Sequence, residues 1–140
     1  MFFQYETPRL LLKVLRADCA PQVLDFYNRD KELFEMYEID RVPDFYTVKH
    51  LQKVLRYEYS MAQLFRFYVF EKENPYRIIG TVCIHNIAPA FYGSCEIGYK
   101  FSSEFHHMGY ATEAVGFCTK LAFNELRMHK VTAVVHSGNV

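Results

Sequence analysis

The amino-acid sequence predicts an α/β fold, a mixed β-sheet with helices packed on both faces. The first observation is size and composition, because 140 residues with 51% hydrophobic side chains are enough for one domain with a sizeable core. The second is the order of the segments, which is strand, helices, three strands, helix, strand. The third is the final strand–helix–strand unit, which requires parallel strands and a right-handed crossover. We therefore expect residues 1–140 to form a single domain.

The N-terminal part predicts a strand and two short helices. "TPRLLLKVLR" (7–16) is apolar on both faces near its middle, as in a buried strand. Asp18 is a suitable N-cap for a helix over "APQVLDFYNR" (20–29). "KELFEMYE" (31–38) predicts the second short helix.

The central part predicts a longer helix, a hairpin and a further strand. Thr47 can cap a helix that runs to about Gln63. The apolar stripe of this helix consists of Leu51, Leu55, Tyr59 and Ala62. "RFYVFEK" (66–72) and "RIIGTVCIHNI" (77–87) are rich in aromatic and β-branched residues and flank the turn "ENPY", so they predict a hairpin. "SCEIGYKF" (94–101) predicts the next strand.

The C-terminal part predicts a helix from about Tyr110 to Leu126, followed by the strand "KVTAVVH" (130–136). One side of this helix is lined by Ala111, Ala114, Val115, Cys118, Leu121 and Ala122. The strand after the helix should lie parallel to the strand at 94–101.

The charge balance argues against partners that are recognised by a strong field. Sixteen Lys and Arg offset sixteen Asp and Glu, so the net charge is zero and nothing attracts nucleic acid or an anionic membrane. No apolar run approaches the ~20 residues of a bilayer span, and "MFFQYETPRLLLK" lacks the features of a signal peptide. We expect a cytoplasmic protein with neither a nucleic-acid nor a membrane partner.

The four cysteines, Cys19, Cys83, Cys95 and Cys118, are widely spaced and form no CxxC motif. This spacing indicates neither a zinc site nor a redox motif, so we expect buried, inert thiols and no metal. Free thiols fit a cytoplasmic setting.

The segment "FHHMGYATEAVGF" (105–117) places two histidines and a glycine ahead of apolar residues at helical spacing. A metal site, a catalytic histidine pair, a phosphate-binding turn and a simple helix start are the alternatives. A strand that enters a helix through a short loop leaves unpaired N–H groups and a partial positive charge, which favours an anion. Gly109 permits close approach of a ligand, and Ala111 keeps that position small. Adjacent histidine side chains diverge and no third ligand has metal-site spacing, so we expect loop side chains.

"MGYATEA" (108–114), preceded by "CEIGYKF" and followed by "AFNELRMHKVTAVVHSGNV", resembles the acetyl-CoA-binding core of the GNAT family of N-acetyltransferases. "YETPRLLLK" resembles the opening strand of the ribosomal-protein alanine N-acetyltransferase branch. The resemblance covers essentially the whole chain in the same order. It is therefore more specific than one glycine turn.

The resemblance implies that acetyl-CoA lies with its pantetheine arm along the strand ending at Phe101 and its pyrophosphate on the backbone amides from His106 to Thr112. Gly109 and Ala111 match the family signature, whereas His106 stands where Gln or Arg is usual and His107 replaces a common Gly. Asn139 matches a family Asn that bonds to the cofactor, and is otherwise a turn residue in "SGNV". The implied cofactor-binding residues are Tyr99, Phe101, His106, His107, Met108, Gly109, Tyr110, Ala111, Thr112 and Asn139.

For catalysis, the resemblance implies that a backbone N–H near Tyr99 stabilises the oxyanion, at a bulge that opens two strands. Glu96 is the best-placed carboxylate for a general base, acting directly or through water. The alternative is a solvent-facing strand residue, because Glu96, Gly98 and Lys100 share one face.

The family chain continues past the position of Asn139 with a helix and two strands that commonly supply an acid for the departing thiolate, whereas this sequence ends at Val140. We therefore expect a fold truncated at the C-terminus, with "VTAVV" as an apolar edge strand. Such an edge favours self-association into a homodimer or larger assembly. Two functions follow: acetyl transfer to a primary amine of a protein N-terminus or small molecule, or a catalytically incomplete CoA-binding or assembly module.

Overall fold

The computed structural model describes residues 3–36, 45–60, 64–88 and 91–133. Its strands are β1 (Gln4–Glu6), β2 (Leu10–Lys13), β3 (Phe65–Glu71), β4 (Asn74–His85), β5 (Ser94–Phe101) and β6 (Lys130–Ala133). Its α-helices are α1 (Ala20–Arg29), α2 (Lys31–Met36), α3 (Val48–Ser60) and α4 (Tyr110–Asn124). The strands form one sheet in the order β1-β2-β3-β4-β5-β6, and neighbours are antiparallel except for β5 and β6, which are parallel. None of the helices in these ranges is long and apolar enough to cross a membrane.

Helices cover both faces of this sheet. α4 packs on one face and α1 and α3 on the other, so the buried side chains form two clusters. Alternate residues of β2 reach different clusters: Leu10 and Leu12 join the α4 side, and Leu11 packs on the α1 and α3 side. On β5, Cys95 and Ile97 face α4. The predicted α/β class with a mixed sheet is therefore confirmed.

The N-terminal strand is shorter than predicted and belongs to a hairpin that the sequence pattern did not indicate. β2 covers only four residues of the predicted 7–16, and β1 pairs with it antiparallel. Thr7 closes the turn, because its N–H donates to the Leu10 carbonyl at 3.0 Å and its Oγ1 accepts the Leu10 N–H at 3.2 Å. The turn places Arg9 beside the start of α4.

The two predicted helix caps have different outcomes. Asp18 is not an N-cap, because the chain enters α1 through a 3₁₀ turn over Ala17–Cys19 in which no side-chain cap forms. The Thr47 cap is confirmed, since its Oγ1 accepts the N–H of His50 at 3.2 Å and α3 begins at the next residue.

The central hairpin exists, but the predicted turn "ENPY" is wrong. β3 ends at Glu71 and β4 already begins at Asn74, so the turn consists of two residues. Register shifts on either side of Phe70 realign the two strands and permit the shorter connection. β4 ends at His85, two residues before the predicted end.

The bounds of β5 agree with the prediction, and α4 ends two residues early at Asn124. β6 is parallel to β5, as predicted, and the pairing runs as far as Ile97 opposite Ala133. Along the rest of β5, from Gly98 to Phe101, no strand in the described part of the chain pairs on that side. Other predicted positions lie outside the described residues: 37–38 of α2, 61–63 of α3, 134–136 of β6, and Asn139.

The buried thiols agree with the sequence. Cys83, Cys95 and Cys118 are buried, and Cys19 is half-buried. Burial raises the pKa of Cys118 to about 12, which keeps the thiol protonated and unreactive.

Candidate functional site

The turn before α4 presents backbone N–H groups to solvent. Gly109 precedes the helix with a left-handed φ of 78°, and the N–H of Glu113 donates to the Gly109 carbonyl at 3.0 Å. The amides of Tyr110, Ala111 and Thr112 come before this bond and have no partner of their own within the helix. Unpaired N–H groups at the positive end of a helix dipole are an arrangement that favours an anion.

Two residues of this turn adopt the left-handed conformation that favours glycine. At Gly109, a Cβ would also lie only 3.2 Å from Nη2 of Arg9. His107 has a φ of 65°, although it is not a glycine. The resemblance noted a common glycine at this position, and the backbone supplies the physical reason for it. His107 therefore holds a conformation that costs it energy.

The two histidines of the turn have different surroundings. The two rings lie 6.4 Å apart and nearly perpendicular, at 86°. Nε2 of His106 contacts the Phe101 carbonyl at 2.9 Å, and the His106 N–H donates to Ser103 at 3.1 Å. His107 is exposed. Within the described residues, no group of three or more His, Cys, Asp or Glu could hold a metal ion. Because the His106 amide is engaged, the free donors of the turn begin at His107.

An ionic contact fixes the start of α4 to the β1–β2 turn. The Arg9 guanidinium donates through Nε to Oε1 of Glu113 at 2.7 Å and through Nη1 to the Met108 carbonyl at 2.8 Å. Oε2 of Glu113 accepts the Thr7 hydroxyl at 2.5 Å and the Arg9 N–H at 2.9 Å. Arg9 also lies over the Tyr110 ring, 4.5 Å from its centroid. The helix start is therefore held by four hydrogen bonds from one turn.

The electrostatics of Glu113 follow from these contacts. Burial acts to raise the pKa of Glu113, but the hydrogen bonds from Thr7 and Arg9, with the Arg9 charge, outweigh it and lower the pKa below its ordinary value of 4.5. The carboxylate is thus charged and positioned at neutral pH. Both carboxylate oxygens of Glu113 accept hydrogen bonds from the β1–β2 turn, so Glu113 holds the start of α4 in place rather than binding a ligand.

The other end of the turn is held by α1. Asp30, directly after that helix, accepts the Ser103 N–H at 2.9 Å and the Ser103 hydroxyl at 2.7 Å. The guanidinium of Arg29 donates to the Ile78 carbonyl and lies within 3.4 Å of the Ser102 hydroxyl. The turn before α4 is therefore held by two packed elements and is not a loose loop.

The side chains of β5 alternate between two faces of the sheet, one covered by α4 and the other carrying Glu96. Tyr99 and Phe101 pack toward α4, in agreement with the predicted alternation. Glu96 lies on the opposite face, where its side chain is 39% exposed and accepts the Asn86 amide at 2.5 Å. Nδ1 of His85 is 3.7 Å from the same carboxylate oxygen. Glu96 is thus part of a polar cluster.

The bulge expected near Tyr99 does not occur in the pairing of β5 with β4. β4 and β5 pair without a register shift from His85 opposite Glu96 to Gly80 opposite Phe101. On the other side of β5, the pairing with β6 is described as far as Ile97 opposite Ala133, the last described residue.

One face of β5 carries Glu96, Gly98 and Lys100. The expectation that this face is open to solvent is wrong at Lys100. Lys100 lies on this face, with its ammonium 5.2 Å from the Tyr27 ring centroid and 5.8 Å from the Phe34 ring centroid. Burial lowers the pKa of Lys100 to about 8. α1 and α2 cover this end of the strand, and the cluster around Glu96 remains accessible.

Sequence reasoning identified the turn and Glu96 but missed the residues that hold them. Arg9, Thr7 and Asp30 are distant in sequence from the turn and follow no periodic pattern. A usable signal was Glu113 in the first turn of α4, since a carboxylate there indicates a hydrogen-bonding role. The sequence pattern places His85 in a strand and gives no sign of a chemical role.

Comparison with known proteins identifies the fold. A family model described as "Acetyltransferase (GNAT) domain" matches residues 9–140. The chain belongs to the GNAT acetyltransferase family. It is therefore an acetyltransferase, and the fold class and family that the sequence suggested are confirmed.

Relatives within the GNAT family share the fold of this chain and are longer than it. The chain is 27% identical over 134 residues to the protein named Probable N-acetyltransferase YjcK of Bacillus subtilis, covering 94% of this chain and 74% of that one. The ribosomal-protein-S5-alanine acetyltransferase of Vibrio fischeri superposes with a TM-score of 0.82 at 22% identity, over 93% of this chain and 72% of that one. RimJ of Mycobacterium smegmatis, solved with CoA-disulfide, gives a TM-score of 0.83 at 20% identity, over 94% and 64%. The structural neighbours thus include ribosomal-protein alanine acetyltransferases.

We predict that Glu113→Gln lowers the free energy of unfolding by about 2 kcal/mol at pH 7, because hydrogen bonds to a charged, mostly buried carboxylate are lost. Since the pKa of Glu113 is lowered, its contribution is fully present above 4.5 and is lost as the pH falls through the folded-state pKa. The stability gap between wild type and variant should therefore shrink below pH 4.5. Urea unfolding across this pH range measures it.

Glu32→Gln serves as the matched control, because Glu32 is exposed in the first turn of α2. It should change stability little at any pH. A gap for Glu113→Gln that stays constant down to pH 3 would contradict the role of the ionised carboxylate.

Proposed function

We propose that this chain is an N-acetyltransferase that moves an acetyl group from acetyl-CoA to a primary amine, on a protein N-terminus or a small molecule, by direct attack on the thioester. The observation that carries the proposal is the amide-lined turn before α4, which directly follows β5, the strand that the resemblance assigns to the cofactor arm. A cofactor with a long amide-bearing arm and a pyrophosphate fits both features. We take residues 1–140 as one acetyltransferase domain, and the free thiols favour a cytoplasmic setting.

In this proposal, the pantetheine arm pairs with the backbone of β5 between Gly98 and Phe101. The pyrophosphate binds the amides of the turn, from His107 to Thr112, with the side chain of His106 beneath it on the Phe101 carbonyl. Support comes from the RimJ neighbour, which holds CoA-disulfide on the same fold. Asn139 is proposed as a further cofactor contact on the resemblance alone.

The chemistry requires an oxyanion donor and a base. We assign the backbone N–H near Tyr99 to the oxyanion on the strength of the resemblance; Tyr99 lies two residues beyond Ile97, the last residue of β5 that pairs with the described part of β6. Glu96 is assigned as the general base, directly or through water, because its half-exposed carboxylate is three residues away and on the face not occupied by α4.

We predict that Gly109→Ala weakens CoA binding about tenfold or more, because the residue has a positive φ and the added Cβ would press on Arg9. The matched control is Gly116→Ala in α4, where an added Cβ meets no atom within 4 Å. The control should keep its CoA affinity and gain stability. Calorimetric titration with CoA measures both, and equal affinities for the two variants would refute the assignment of the turn.

We predict that Glu96→Gln lowers turnover by roughly 10²-fold, the usual scale of general-base catalysis, with little change in CoA affinity. Thiol release from acetyl-CoA measures turnover, with an alanine-initiated peptide and spermidine as acceptors. If wild type binds CoA and releases no thiol with any amine, the chain is instead a CoA-binding module. If wild type is active and the variant equally fast, Glu96 is only a strand residue.

We also propose that the chain self-associates through β6, the outermost strand of the described sheet. Light scattering should report a dimer or larger assembly. Ala133→Lys, at an exposed position of β6, should shift the population toward monomer because a charged side chain disfavours edge pairing. A wild type that stays monomeric at high concentration contradicts this.

A further inference from the structure

The polar cluster at the end of β4 contains a histidine that the proposed chemistry has not used. His85 lies directly opposite Glu96 on the neighbouring strand. Its Nδ1 faces Oε2 of Glu96 at 3.7 Å, and the amide of Asn86 donates to that same oxygen at 2.5 Å. The His85 and Glu96 side chains are 30% and 39% exposed, so a ligand can reach them.

The other ring nitrogen points along β5 toward the residue next to Tyr99. A Cβ placed on Gly98 would lie 3.5 Å from Nε2 of His85. The imidazole therefore lies over the backbone at Gly98, where no side chain intervenes. A proton on Nδ1, facing the carboxylate, leaves the Nε2 lone pair free on this side.

We propose that His85 carries the proton of the transfer reaction, with Glu96 as its orienting partner. This inference rests on the proposed function and changes the role of Glu96 from the base itself to the group that holds the base. The arrangement follows the general pattern in which a carboxylate fixes the tautomer of a histidine and stabilises the imidazolium.

The step balances with one histidine. The neutral amine nitrogen forms a bond to the thioester carbon, and the carbonyl electron pair moves to oxygen. The amine proton passes to Nε2 of His85. The carbonyl then reforms as the C–S bond breaks, the sulfur leaves with the electron pair, and the imidazolium returns the proton to it. The products are the acetylated amine and CoA as a free thiol.

One residue can serve as both the base for the amine and the acid for the thiolate. A histidine near the thioester supplies both functions in turn, because an imidazole can accept and return a proton near neutral pH. The 3.7 Å separation from Glu96 is longer than a hydrogen bond, as is common before a substrate is present.

The test compares His85→Ala with His50→Ala in the full 140-residue chain. His50 is a half-buried histidine on α3 that contacts Phe45. Thiol release is followed with acetyl-CoA and the same two acceptors, alanine-initiated peptide and spermidine, and CoA affinity is measured by calorimetry. We expect His85→Ala to lose roughly 10²-fold or more in turnover with CoA affinity unchanged, and added imidazole to restore about tenfold. His50→Ala should keep its rate and ignore imidazole.

Two further variants make the result decisive. His85→Gln preserves much of the side-chain volume but cannot carry a proton, so it should be as slow as His85→Ala. Its side chain occupies the space of the imidazole ring, so added imidazole should not restore the rate. The double variant His85→Ala/Glu96→Gln should be no more than a few-fold slower than His85→Ala, because the partner acts through the histidine.

The possible failures are distinguishable. If wild type releases thiol and His85→Ala or His85→Gln keeps its rate, the His85 inference is wrong while acetyl transfer stands. If His85→Ala is slow but imidazole does nothing, the side chain has a structural role and the inference is again wrong. If wild type binds CoA and transfers to neither acceptor, the proposed function fails and this inference fails with it.

Discussion

The position of the first turn of α4 depends on one largely buried carboxylate. Glu113 gathers hydrogen bonds from the Thr7 hydroxyl and from the backbone and guanidinium of Arg9, and the same guanidinium fixes the Met108 carbonyl. The N–H groups at the start of a helix have no partner within the helix and bind water when no ligand is present. The hydrogen bonds of Glu113 hold this first turn in one position, where those N–H groups remain available to an anion. Because the anchor comes from the β1–β2 turn, the short N-terminal hairpin is part of the site.

The second anchor determines how the turn relates to the sheet. Asp30 binds the backbone and side chain of Ser103 immediately after β5 ends, so the path from strand to turn is fixed by α1. One anchor comes from the β1–β2 turn and the other from the end of α1. A binding site held from both sides is preorganised, and preorganisation reduces the entropy that a flexible ligand must overcome on binding.

Periodicity was sufficient for the parts of the fold that depend on burial. β5 agreed with its predicted bounds because Cys95 and Ile97 alternate with polar residues, and the buried stripe of α4 was visible for the same reason. The misses have a different origin. The Arg9–Glu113 contact joins positions 104 residues apart, and the 3₁₀ entry to α1 displaced Asp18 from the cap. Neither effect leaves a local pattern, since each is decided by tertiary packing.

The same limit applies to the chemistry. Glu96 could be singled out because its strand resembles a known one, whereas His85 has meaning only once antiparallel pairing sets it beside Glu96. A one-residue slip in that register would move His85 to the α4 face and bury it. The polar cluster therefore depends on the register of β4 and β5, which the buried side chains of both strands enforce.

The position of acetyl-CoA on β5 in the proposed complex has a consequence for the lifetime of the protein. The pantetheine amides bind the backbone of β5 there, so the ligand adds hydrogen bonds to the sheet. Binding then raises the free energy of unfolding by about 2.7 kcal/mol when the free ligand is at a hundred times its dissociation constant, so fewer molecules are unfolded. Proteases act on opened chains, so the abundance of this protein in a cell would follow the supply of acetyl-CoA. Acetyl-CoA would thus stabilise the folded enzyme, and a shortage of acetyl-CoA would lower the amount of enzyme as well as the rate of its reaction.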